Sequence, residues 1–182
     1  MAMITFGRTC RRTLGAMGLL AAMLGNGIAA ENMRFHGALV AEPCVIPPGK
    51  EVIQLDFGSV VDKYLYLNQR THGIPLVIQL AECDLSVGKT VSLTFSGNEN
   101  PRLPGLLLPE AGSQAAGIAI GLETPEGQLL PLNQSSAKYP LRTGNSEVQL
   151  RAYVQGEPQA IAQKNITHGA FNATATFILG YE

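Results

Sequence analysis

The sequence predicts an all-β sandwich, and three observations predict it. Apolar residues recur with period two rather than 3.6. Twenty Gly and 11 Pro in 182 residues cut the chain into short segments. No stretch carries the pattern of a long amphipathic helix. The length fits one domain.

The elements follow in order. Alternation begins in Glu31–Glu42, where Met33, Phe35, Gly37, Leu39 and Ala41 share one face. Asn32, Arg34, His36 and Glu42 lie opposite, with Val40 out of pattern. Such a tail is a strand in search of a sheet. Val52–Phe57 is strand-like and ends at Gly58. Leu76–Leu80 follows Pro75 and leads into Cys83; Thr90–Phe95 alternates and stops near Gly97. Gly117–Leu122 and Gln128–Leu130 flank Thr124-Pro125-Glu126-Gly127, a turn signal. Val148–Val154 alternates again. The last strand, Ala173–Tyr181, runs to the terminus. Phe171, Ala173, Ala175, Phe177, Leu179 and Tyr181 fall on one face, with Asn172, Thr174, Thr176 and Gly180 opposite. Most chains end in a polar, frayed tail; this one ends inside its most apolar strand. Seven or so short strands make a sandwich.

Residues 1–30 read as a secretory leader. Arg8, Arg11 and Arg12 form a basic start, Leu14–Leu24 is an apolar run, and Gly27-Ile28-Ala29-Ala30 supplies small residues for cleavage. The expected cut follows Ala30, with Ala29 the alternative, and the run is too short to span a bilayer. An uncleaved anchor helix is the competing reading. Cleavage removes Cys10 and three arginines, taking the formal charge from -1 to -4. Two cysteines remain in a chain bound for an oxidising compartment, so a Cys44–Cys83 disulfide is expected. A two-cysteine metal site is the alternative and lacks nearby ligands. The near-neutral charge excludes the basic stripe of a nucleic-acid binder. A charged fraction of 15% against a typical ~25% argues against disorder.

Enzymatic chemistry finds no support in the motifs. There is no Gly-x-Ser-x-Gly elbow, and His36, His72 and His168 have no zinc spacing. Gly88-Lys89-Thr90 looks like the end of a phosphate loop, but Cys83 stands where its first Gly belongs. Glu82 and Asp84 are expected to face solvent. Asn133-Gln134-Ser135, Asn165-Ile166-Thr167 and Asn172-Ala173-Thr174 match the glycosylation tripeptide, which is common by chance. No cofactor, metal or catalytic residue is expected.

The two terminal segments carry a resemblance. A leader, an alternating extension centred on Gly37, two cysteines, Gly169 as the fourteenth residue from the end, and penultimate Tyr181 together resemble the pilin subunits of chaperone–usher fimbriae. Val87–Gly97, Leu103-Pro104-Gly105 and Ala173–Phe177 look like the minor tip subunits of P-type pili, especially the adaptor. The resemblance covers residues 31–182.

That resemblance implies an incomplete immunoglobulin-like sandwich of six strands, lacking its last strand, with a donor-strand extension. Its divisions would be leader 1–30, extension 31–43 and pilin domain 44–182. Phe35, Gly37 and Leu39, with Met33 and Ala41 more loosely, would enter a neighbour's groove. Gly169, Phe171, Ala175, Phe177, Leu179 and Tyr181 would form this subunit's own groove and chaperone-recognition strand. The Glu182 carboxylate would anchor in a chaperone cleft. Implied partners are a periplasmic chaperone, an outer-membrane usher, and neighbouring pilins or a tip adhesin. Nucleic acid and membrane insertion of the mature chain are not expected. The chain would pass through the periplasm to a surface fimbria. A rod or terminating subunit is the alternative within the family. Outside it, the alternative is a secreted, closed sandwich that binds a ligand or carbohydrate.

Overall fold

The computed structural model describes residues 35–182. The leader and Met33 lie outside the described residues. The chain divides into units 1–38 and 39–182, and the fold below is that of the second.

Six strands of five residues or more build it: β1 (Ile74–Cys83), β2 (Thr90–Ser96), β4 (Leu103–Leu107), β5 (Ile118–Glu123), β7 (Gly144–Gly156) and β8 (Thr176–Tyr181). Two-residue strands β3 (Glu99–Asn100) and β6 (Tyr139–Pro140) add short edges. One sheet has the order β1-β7-β5-β4-β3 and the other β6-β2-β8. Every pairing is antiparallel. Period-two sequence dictates these strands because alternate side chains point to opposite faces. In β2, Val91, Leu93 and Phe95 are buried while their neighbours are not. In β1, Leu76, Ile78 and Leu80 do the same. These residues, with Ile120, Leu122, Leu130, Leu132, Leu141, Val148 and Leu150, fill the main core between the sheets.

Cys44 and Cys83 form the expected disulfide, both sulfurs buried. In the chain-entropy model a loop of 39 residues contributes about 4 kcal/mol. The Thr124–Gly127 turn is present, closed by Gly127 N–H donating to Thr124 O at 2.9 Å.

Four expectations need correction. Gln128–Leu130 is not a strand; it meets β5 through a single Glu123–Leu129 bridge. The last strand begins at Thr176, not Ala173. The chain also forms short helices α1 (Asp62–Asn68) and α2 (Pro158–Gln163) and strand β4, none of which period-two reading identified. The Pro and Gly within β4 hid it. Most tellingly, Val52–Phe57 joins no sheet. Its alternation survives: Ile53, Leu55 and Phe57 are half-buried against the main core while Val52, Gln54 and Asp56 are exposed. What it lacks is a strand to bond.

Candidate strand-acceptor edge

The last strand lies at the edge of its sheet. β8 bonds β2 over Val91–Ser96, and among the described residues nothing pairs with its other side. Thr90 and Glu182 exchange both backbone hydrogen bonds, Thr90 N–H to Glu182 O at 2.9 Å and Glu182 N–H to Thr90 O at 3.0 Å. Antiparallel ladders alternate bonded and non-bonded pairs. The N–H groups of Thr176, Ile178 and Gly180 therefore face β2. Those of Phe177, Leu179 and Tyr181 face outward, where no strand receives them.

The inward side-chain face is also unfinished. Phe171, Ala173, Ala175, Phe177, Leu179 and Tyr181 pack on the main core yet stay half-buried, while every residue between them is exposed. Phe57 meets Phe171 with ring centroids 6.0 Å apart. Ile53, Leu55 and Phe57 thus form a second half-buried row against the same core, on backbone making no backbone hydrogen bond over residues 51–60 among those described. Two extended segments with open hydrogen-bonding edges flank one incompletely covered core. An open apolar edge of this kind is a template for another strand.

Residues 169–175 are placed from outside the sheet. Ala170 O accepts from Gln114 and Ala115 N–H at 2.8 and 3.2 Å, and Asn172 O from Glu110 N–H at 2.8 Å. Gly169 has φ +144, and a Cβ there would lie 2.4 Å from Gln114 Cβ, so only glycine fits this approach. The Glu110–Gln114 clamp and the Ile53–Phe57 wall were missed from sequence. The wall had a signal, alternation with no matching partner; the clamp had none.

The other end of the edge is built around the disulfide. Glu182 O accepts from Lys89 N–H at 2.7 Å, and the Glu182 side chain pairs with Lys138 Nζ. The Tyr181 hydroxyl points at Cys44 O, 3.5 Å away. Burial pushes that phenol above its usual pKa, and the Glu42 carboxylate adds to the rise. Gly88 is buried, and a Cβ there would lie 2.6 Å from Pro43 Cγ and 3.3 Å from Glu182 O. The start of the domain and its C-terminus therefore meet at one end.

Residues 35–42 form neither helix nor strand. Phe35 and Leu39 are 86% and 104% exposed. Gly37 has nothing within 4 Å of an added Cβ. His36, His72 and His168 are all exposed, and so are Glu82 and Asp84. Among the described residues no His, Cys, Asp or Glu cluster suits a metal, and no helix is long and apolar enough to cross a membrane.

Comparison with known proteins agrees with this picture. A family model described as "Fimbrial protein" matches residues 33–182. The fimbrial adapter PapK of Escherichia coli is 34% identical over 176 residues, covering 93% of this chain and 98% of PapK. The fimbrial-like protein YfcP of E. coli K12 is 30% identical, covering 88% and 90%. The crystal structure of the P pilus rod subunit PapA shares the fold, with TM-score 0.67 and 24% identity over 78% of this chain and all of PapA. With the family model spanning residues 33–182 and PapK aligned along most of its length, this chain belongs to the fimbrial protein family, the pilin subunits of chaperone–usher fimbriae.

Proposed function

We propose that this subunit works by strand exchange at the β8 edge, in a minor tip or adaptor position. One observation carries the reading: the row from Phe171 to Tyr181 is half-buried on a strand whose outer N–H groups have no partner. A periplasmic chaperone would first lay a strand along β8. An outer-membrane usher would then pass the subunit to a neighbouring pilin or tip adhesin, on the way from the periplasm to the surface fimbria. Glu182, beside Lys138 and Lys89, would mark the chaperone's anchoring end.

The extension would be the corresponding donor. Phe35 and Leu39 are fully exposed and have the most to gain: ~1.5–3 kcal/mol for each such side chain taken to full burial. Met33 and Ala41 would add less. Residues 31–42 extended reach about 36 Å, against about 33 Å for the face from Phe171 to Tyr181, so one extension can cover one groove. Gly37 would pass the point where no side chain fits. The resemblance to adapter PapK, and to the putative minor fimbrial subunit PmfF of Proteus mirabilis at 29% identity over 85% of this chain and 86% of PmfF, supports the minor position.

The test is expression in the periplasm with and without a fimbrial chaperone. Soluble yield should fall several-fold without the chaperone and be restored with it. Equal soluble yield in both would show that the core needs no outside strand.

A further inference from the structure

We propose that the apolar shelf beside α1 is a second contact surface, covered in the fibre by the extension-bearing end of the subunit that donates its strand. The inference rests on the strand-exchange reading above.

The shelf is a shallow groove of about 560 Å³ lined by Phe57, Val60, Val61, Tyr64, Leu67 and Ile74. Leu67 is 83% and Val61 56% exposed. Ser59, Lys63, Thr71 and His72 complete the lining. Exposed apolar side chains gathered among polar ones mark a contact site. It is continuous with the acceptor edge, because Phe57 lines the shelf and also packs against Phe171.

The fold says what reaches it. β1 runs from Ile74 to Cys83, separating two ends of the domain by about 30 Å. At the Cys83 end sit Cys44, Tyr181 and Glu182, and Asp84 N–H donates to Pro43 O at 2.8 Å. Each subunit's extension therefore leaves from that end. At the Ile74 end sit the shelf and Ile166, whose N–H donates to the Tyr66 hydroxyl at 3.2 Å. A donor strand lying along β8 brings its own domain to one end or the other. The Cys83 end is already occupied by the acceptor's C-terminus and the root of its own extension. Placing the donor at the Ile74 end uses each end once and propagates head to tail, as an open fibre requires. The donor strand then runs antiparallel to β8. The donor end that lands on the shelf carries apolar side chains to meet it: Val45 and Val87 are 47% and 46% exposed, with Ile46 and Pro47 half-buried beside them, among the exposed charges of Glu42, Glu82, Asp84 and Lys89.

The test uses the mature chain, residues 31–182, as acceptor. The probes are a synthetic peptide of residues 31–43 and a second copy of the mature chain. Leu67→Glu should leave peptide uptake within about twofold of wild type and weaken capture of the second copy about tenfold. Val87→Glu in the incoming copy should give a similar loss, and the two together little more than either. Unchanged capture by Leu67→Glu would overturn the proposal. Loss of peptide uptake in both Leu67→Glu and Leu67→Ser would also overturn it, because the effect would then lie in the groove. If wild type takes up neither probe, the strand-exchange reading itself fails.

Discussion

Gly169 shows how much can depend on one backbone position. Its φ of +144 and the 2.4 Å approach to Gln114 leave no room for a side chain. Gly169→Ala should lower stability by about 2 kcal/mol, read as the urea midpoint of the subunit complemented by the 31–43 peptide. A second residue-scale prediction concerns the buried Glu123, whose side chain is 3% exposed and lies 2.8 Å from Arg70 Nη2. The Arg70 guanidinium also sits 3.8 Å over the Tyr153 ring. Arg70→Met strands a buried carboxylate and should cost about 3 kcal/mol in the same assay. Neither site was legible as such in the sequence. Gly169 was singled out by resemblance alone, because a glycine's φ does not show in its letter. Arg70 and Glu123 are 53 positions apart, and nothing local pairs them. The Cys44–Cys83 bond is legible in the sequence because, with Cys10 assigned to the expected leader, only two cysteines remain.

At the scale of elements, strands with clean alternation are legible in the sequence whether or not both edges are paired, and β4, interrupted by Pro104 and Gly105, is not. While β5 is buried on both faces, β1, β2 and β7 bury alternate residues over most of their lengths and pair within a sheet, so their pattern and pairing agree. Val52–Phe57 has the same pattern but no sheet, since alternation reports which face is buried and not which backbone is bonded. The same logic applies to the extension, unpaired over residues 35–42. Gly37→Arg should abolish incorporation of this subunit into the next groove while chaperone capture proceeds, as read by co-purification; loss of capture instead would remove the extension from its donor role. Helix α1 carries a pH prediction. His168 Nε2 lies 3.0 Å from Asp62 Oδ2, and this bond, followed by that from the Lys63 N–H, holds the Asp62 carboxyl below its usual pKa. A depressed carboxylate stabilises the fold above its unfolded value, near ~4, and ceases to do so as pH falls through the folded value. Asp62→Asn should therefore melt slightly below wild type at neutral pH, with the gap closing in acid. The gap should be small and reduced by salt, because the pair is exposed. A gap constant down to strongly acidic pH would contradict the assignment.

At the scale of the whole molecule, the proposed strand exchange would assign part of the high apolar content to surfaces that only an assembly finishes. The family builds extracellular fimbriae and is one of structural subunits rather than enzymes. The disulfide, the two-sheet core and the Gly169 clamp hold the domain together, and β8 and residues 52–57 keep an edge without a strand partner among the described residues, which the proposed exchange would complete. The most direct measurement of that claim is amide hydrogen exchange on the mature chain, before and after adding the 31–43 peptide. Phe177, Leu179 and Tyr181 should exchange quickly alone and slow by orders of magnitude with peptide, while Ile178 and Gly180, bonded to β2, should be protected already. Protection of all five amides without peptide, or no change on adding it, would mean that the edge is closed and the account is wrong.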